Sequence, residues 1–537
     1  MTWSMHTPYG GSYMYRFVFV LLTSLALAMA VAQAPRGTVT LTPLGGYDHG
    51  GFDEGAAEIA AFDAETARLF VVNAEAAGLD VLDLSDPSNP VLHAQLDMKP
   101  YGNEANGVAV HGGLVAIAIE AEETGEAGVV LFTDADGTVL AQHPAGFLPD
   151  MLTFTPNGMH VVVANEGEPN DAYDVDPIGS VTIVDLPADR DPSGATVRQV
   201  DFTQFDHQAD AMRAAGIRIY GPGALPSQDF EPEYVAITPD STTAYVVLQE
   251  NNALAVVDLV AGYATAIIPL GYKDWSTLTL DVTNRDEEAN LASWPVHGMY
   301  QPDAIALFTV GGVPYLVSAN EGDARDYDGY SEEARVGDDE VILDPAAYPN
   351  AEELKDELAL GRLNMTLATG DHDGDGDFDQ IVAYGARSMS VWSAGGELVW
   401  DSGDRIERAV LATYPEFHNT NNDESAADSY DSRSDDKGAE PEGVTVGVID
   451  GVPYAFLGLE RTGGVMVWNL STPAWPTLAT YFNDRPLDGD AETAEGGDLG
   501  PEGLVFIPAA DSPNGRNLLV VAYEISGTTR IYEVTVN

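Results

Sequence analysis

The feature that most constrains this chain is a phrase repeated seven times from Glu58 onward. The segments ANGVAVHGGLVAIAIE, PDMLTFTPNGMHVVVANE, PEYVAITPDSTTAYVVLQE and PEGLVFIPAADSPNGRNLLVVAYE show four of the copies. Each opens on an acidic or amide residue, runs through a β-patterned strand, turns at Gly, Pro or Asp, and returns through a second apolar strand to Glu. A third strand follows in most copies, as in GSVTIVDL, NALAVVDL and GGVMVWNL. A fourth is readable in VLHAQLD, ATAIIPL and TLATYFN. A four-stranded unit that is apolar on both faces cannot stand alone, so the copies must stack on one another. The expected fold is all-β: a single seven-bladed β-propeller over residues 38–537.

Two units depart from the pattern. The fifth ends its second strand at Glu321 and reaches its third, Ser388–Trp392, only after a long insertion. Counting Asp377–Gly403 as a separate unit gives an eight-bladed alternative. The seventh copy runs out of chain at its third strand, while the strand-like Thr38–Tyr47 is unassigned. Pairing that N-terminal strand against Thr529–Val534 closes the ring and removes an open sheet edge. Insertions are expected at residues 187–229, 272–301, 322–387 and 404–438, placed by chain order to cover one face.

Aligning the copies brings out two series of polar residues. The first position reads Glu58, Asn106, Asp150, Glu233, Asp303, Glu442 and Glu502. The end of the second strand reads Glu75, Glu120, Glu166, Glu250, Glu321, Glu460 and Glu524. In a propeller the first strand lines the channel and the second runs back beside it, so both series emerge on one face. Turn-capping by the outer carboxylates is an equal reading for the second series. For the inner series, converging carboxylates cannot all remain ionised without cations. Oxygen donors of this kind select Ca²⁺, with Mg²⁺ as the smaller alternative.

Composition supports a cation-binding surface. Acidic residues number 86 against 23 basic ones, for a net charge of −63. A chain without a basic run is not suited to nucleic acid. With no cysteine, thiolate metal sites, disulfides and cysteine nucleophiles are excluded. The apolar stretch Phe17–Ala32, preceded by Arg16 and ending in small residues, reads as a signal peptide within residues 1–32. Export to the extracellular space or periplasm, with no membrane span in the mature protein, is the corresponding expectation.

The most specific local motif is Asp371-His372-Asp373-Gly374-Asp375-Gly376-Asp377-Phe378-Asp379. Asp371, Asp373, Asp375 and Asp379 follow the D-x-D-x-D-G-x-x-D spacing of a calcium loop, although position twelve is Val382 rather than Glu. Arg325, Arg335 and Arg362 stand out in so acidic a chain and suit the pairing of a phosphate beside bound metal; neutralising nearby carboxylates is the equal alternative. His297 is the histidine nearest the expected site.

The strings GGYDHGGFDEGAAEI, WPVHGMYQPDAIA, NEGDARDYDGYSEEARV, DGDGDFDQIVAYGARSMSVW and GLERTGGVMVWNL resemble the choice-of-anchor I domain family. That group includes the mesenchyme-specific cell-surface glycoproteins of biomineralising tissue and atypical secreted bacterial alkaline phosphatases. The resemblance implies one of two functions. One is a calcium-dependent phosphoester hydrolase, for which the chain's own residues Arg325, Arg335 and His297, rather than the resemblance, supply the catalytic candidates. The other is a non-catalytic calcium-binding protein of a cell surface or mineral.

Overall fold

The computed structural model describes residues 38–286 and 288–537; the signal-peptide expectation lies outside them. Among these residues no helix is long and apolar enough to cross a membrane. Seven four-stranded antiparallel sheets follow one another along the chain, each a simple meander apart from the last. Second strands such as His160–Asn165 and Leu518–Tyr523 are almost wholly buried, because each sheet is sandwiched between two others. That burial explains their continuous apolar sequences. Fourth strands such as Val91–Asp97 are mostly exposed and alternate with polar residues.

The core is accordingly divided into layers between sheets. Phe70, Val72, Leu79 and Val81 of the first sheet pack against Val108, Val115 and Ile117 of the second. Burying each of these large side chains contributes about 1.5–3 kcal/mol relative to leaving it in water. The first strand of every sheet touches the first strand of the next, and that of the seventh sheet, Pro501–Ile507, touches Ala60–Asp63 of the first. This circle of inner strands makes the molecule a β-propeller. Glycine makes the close approach possible: a Cβ on Gly503 would sit 2.2 Å from the Glu58 carbonyl oxygen, and one on Gly443 would sit 1.9 Å from that of Glu502.

The N-terminal strand Val39–Asp48 pairs antiparallel with Thr528–Val536, in register from Val39 opposite Val536 to Asp48 opposite Thr528. It supplies the outer strand that the seventh repeat lacks. Asp377–Gly403 does not make a separate sheet. Its strands Ser388–Ser393 and Leu398–Asp401 are the third and fourth of the fifth sheet, because Ser388–Ser393 pairs directly with Val313–Asn320. The insertion expected from residue 187 starts too early, since Thr196–Asp201 is the fourth strand of the third sheet. The insertions at 272–301 and 322–387 share a small core of their own around Trp275, Val296, Val336, Leu363 and Ile381. A three-stranded sheet, Tyr272–Asp274, Val296–Met299 and Ile381–Ala383, stitches them together.

Candidate functional site

The same irregularity opens most of the inner strands. The pairing slips between Pro149 and Leu152, Pro232 and Val235, Pro441 and Val444, and Pro501 and Leu504. Each slip brackets one residue of the inner series: Asp150, Glu233, Glu442 or Glu502. A bulge re-aims the side chain it contains, and here the acids turn toward the centre of the ring. Glu58, Asn106, Asp150, Glu233, Asp303 and Glu502 line one central cavity of about 280 Å³. Glu442 borders it through Gly443 and Val444. The lining contains no lysine, arginine or histidine.

The electrostatics follow from that inventory. Burial, then the neighbouring Glu524, Glu104 and Asp150, push Glu58 up to about 9. Burial raises Asp150 to about 7, a rise that a hydrogen bond with Glu166 limits. Glu233 and Glu502 are held well above the ordinary carboxylate range by burial and by surrounding carboxylates alone. Glu233, Glu442 and Glu502 each keep one buried oxygen, Oε2, with no hydrogen-bond partner.

Glu104 was not singled out by the repeat alignment, yet it lines the same cavity. It lies just before the strand Ala105–His111 and supplies the acid that the second unit lacks at its aligned position.

The outer series does not form a uniform ring. Glu75 is exposed. The Asn103 side-chain amide donates to Glu120 Oε1 at 2.5 Å. Glu166 and Glu250 lean into the acidic cluster, and burial brings Glu250 to about 7. Glu321 and Glu460 gather with Glu440, ligand atoms of the three lying within 4.8 Å of one another. Three cations fill that cluster. Lys437 Nζ meets Glu321 Oε1 at 2.5 Å, Arg461 Nε lies 2.9 Å from Glu440 Oε2 and 3.0 Å from Glu460 Oε1, and Arg433 Nε donates to Glu440 Oε1 at 2.9 Å. Burial alone would raise Glu440, but Lys437, Arg433 and Arg461 hold it well below the usual carboxylate range. Glu524, at the end of the seventh second strand, is raised by burial and partly offset by Arg461.

The three arginines expected to meet a phosphate are otherwise engaged. Arg325 is 1 % exposed, with Nη1 at 2.7 Å from Asp229 Oδ1 and Nη2 at 2.8 Å from Glu231 Oε1. The Tyr220 ring lies between it and the buried Arg218, which pairs with Glu332. Arg335 Nη1 donates to the carbonyls of Arg362 and Asp435, at 2.9 and 2.7 Å. Arg362 pairs with Asp435 at 2.8 Å. Neutralising local acids and carbonyls is therefore what these side chains do. His297 sits in the three-stranded sheet between Asp274 and His372, beside the Asp371 loop rather than in the cavity lining.

In the exposed Asp371–Asp379 loop, carboxylate oxygens of Asp371, Asp373 and Asp379 come within 4.8 Å of one another. Asp375 lies outside that group and accepts the Asp377 N–H at 3.2 Å. Asp371 accepts the N–H groups of Gly374 and Gly376, at 2.7 and 3.1 Å, which bends the loop around its carboxylates.

The choice-of-anchor I domain family model matches residues 58–473. The chain is 26% identical over 341 residues to the mesenchyme-specific cell surface glycoprotein of Strongylocentrotus purpuratus, covering 54% of this chain and 43% of that protein. It is 30% identical over 190 residues to gigasin-3a of Magallana gigas, covering 34% of this chain and 66% of that one. The matches thus span less than two thirds of either relative. Among solved structures, the β-propeller domain of Cps50 (Swd1) from Myceliophteria thermophila is similar, with 9% identity, TM-score 0.43 and coverage of 92% and 100%. Streptogramin B lyase is similar too, with 12% identity, TM-score 0.43 and coverage of 93% and 98%.

Proposed function

The chain belongs to the choice-of-anchor I domain family, and from that premise we propose that it is an extracellular, calcium-binding β-propeller whose central cavity takes up divalent cations. Each four-stranded sheet is read as one blade, seven in all, with the N-terminal strand closing the ring. The observation that carries the reading is a cavity lined by Glu58, Glu104, Asp150, Glu233, Asp303 and Glu502 without one basic side chain. At neutral pH such a cluster must hold protons or cations. Hard carboxylate oxygens in an irregular ring suit Ca²⁺, whose coordination is flexible, better than Mg²⁺, which demands an octahedron. Glu233, Glu442 and Glu502, each with a buried oxygen left without a partner, would hold the ions, with Asp150, Asp303 and Glu58 completing the set. The Asp371–Asp379 loop is a second, peripheral calcium site in this reading, held by Asp371, Asp373 and Asp379.

Extracellular placement is supported by the apolar segment Phe17–Ala32 and by the cell-surface designation of the sea-urchin relative. A non-catalytic role at a surface or mineral is favoured over phosphoester hydrolysis. Arg325 and Arg335, the groups that would orient phosphoryl oxygens, are committed to internal partners. Bound calcium would still supply Lewis acidity if a phosphate ester entered.

Equilibrium dialysis of the purified mature protein against Ca²⁺ tests the proposal. Stoichiometric uptake that falls in the double variant Glu233→Gln/Glu442→Gln is the expected result, and no uptake by the folded protein would overturn it. A phosphatase assay on the same samples decides the chemistry. Calcium-dependent turnover abolished in the double variant would establish hydrolysis, and its absence leaves a binding protein.

A further inference from the structure

Away from the central cavity, two of the insertions meet at a buried polar cluster that the repeat does not explain. Asp281 comes from the 272–301 insertion, and His418 and Asp431 come from the 404–438 insertion. The three are 0 %, 0 % and 1 % exposed. One ligand atom from each lies within 4.8 Å of the others. The internal hydrogen bonds use only part of what these groups offer. His418 Nε2 lies 2.9 Å from Asp281 Oδ2, which also accepts the Asn290 N–H at 2.8 Å. Ser434 Oγ donates to Asp431 Oδ1 at 2.6 Å and is held in turn by the Asn419 amide at 2.8 Å. Asp281 Oδ1, His418 Nδ1 and Asp431 Oδ2 are all buried and all without a partner.

Three orphaned polar atoms in one cluster are costly. Each leaves its desolvation penalty uncompensated. A protonated His418 between two carboxylates would balance one charge and still leave those atoms unpaired. A single cation held by one ligand atom from each of the three would offset their carboxylate charge. Imidazole among the donors shifts the preference away from Ca²⁺ and Mg²⁺ toward first-row transition metals, and Zn²⁺ accepts both His nitrogen and Asp oxygen. The surroundings are built to hold the two insertions in place. Arg387, 3 % exposed, donates to the Asp281 carbonyl at 2.9 Å and the Ser434 carbonyl at 2.9 Å, and to Glu407 Oε1 at 2.9 Å. Asn419 and Ser434 orient Asp431 as outer partners orient metal ligands elsewhere.

We propose that Asp281, His418 and Asp431 bind one first-row divalent transition metal, Zn²⁺ foremost, which clasps the 272–301 insertion to the 404–438 insertion. The site is separate from the carboxylate cavity and differs from it in chemistry, since it alone includes an imidazole. Its existence does not depend on calcium binding at the ring.

The test uses the mature protein, stripped with chelator and titrated with Zn²⁺ in excess Ca²⁺. One equivalent of Zn²⁺ should bind despite the calcium. His418→Ala and Asp431→Asn should each weaken uptake by more than about tenfold, the low end of what loss of a supporting partner costs. Glu233→Gln/Glu442→Gln should leave it unchanged. Absence of stoichiometric uptake by the wild type, or full uptake by both folded single variants, overturns the proposal. Should neither variant fold, zinc-edge X-ray absorption of the loaded wild type decides. One imidazole with oxygen donors supports the site, and an oxygen-only shell rejects it.

Discussion

Around Glu440 the carboxylate face carries its own counter-charges: Lys437, Arg433 and Arg461 reach in from the insertion and from the loop after the sixth second strand. Around Glu502 and Glu58 the neighbours that matter are Glu524, Asp303, Asp150 and Glu104. The first region gathers the second-strand glutamates Glu321 and Glu460 around Glu440, the second gathers first-position acids, and only the first has cations beside it. A repeat can place carboxylates, while the cations beside Glu440 come mainly from the 404–438 insertion, as Arg433 and Lys437, with Arg461 added from the sixth unit's own loop. Where the insertion reaches, the acids become structural; where it does not, they remain available to ions from solution.

The comparison breaks most severely if the built-in half loses a cation. Replacing Lys437 by Met leaves Glu321 and Glu440 without it, and removing one partner of a buried pair costs about 3–5 kcal/mol. Chemical denaturation should register that loss with and without Ca²⁺, and an unchanged midpoint would show the two halves to be alike. Next in size is cation removal. Each site that binds only the folded state contributes about 2.7 kcal/mol at one hundred times Kd. Chelator at low salt should therefore lower the melting temperature, and an identical melting curve would deny any structural ion.

pH sharpens the same contrast. Glu58, at about 9, and Asp150, at about 7, are raised above their unfolded values. A raised carboxyl holds its proton in the folded state, so the stability it contributes is present below about pH 4 and is lost as pH climbs through these values. Without calcium the melting temperature should fall from pH 5 to pH 9, and with calcium it should stay nearly level. A rise with pH in chelator would contradict the assignment. The smallest effect belongs to the exposed loop. Asp373→Asn should leave the melting temperature in chelator essentially unchanged, while reducing calcium uptake by about one ion.

Most of the sheet architecture was legible because period-two patterning and turn residues repeat at fixed positions in every copy, from PDMLTF to PEGLVF. The inner acids were legible for the same reason, since a bulge after Pro149, Pro232, Pro441 and Pro501 is a local property of each repeat. Arg325 carried two equal readings in the sequence because its partners, Asp229 and Glu231, lie almost a hundred residues away in the chain. The Asp281–His418–Asp431 cluster left no spacing to notice, with 137 residues between its first two members.

What the amino-acid sequence determined by itself was therefore everything carried by local periodicity: the strands, their meander order, the two series of carboxylates and the excess of negative charge. What the tertiary structure alone decided was which charges find partners. Pairing depends on loops from distant parts of the chain folding over one face, and contact between them is set by the packing of Trp275, Val296, Leu363 and Ile381 rather than by any residue's neighbours in sequence. A carboxylate's role here depends on whether a lysine or arginine arrives beside it, and that is a property of the folded surface.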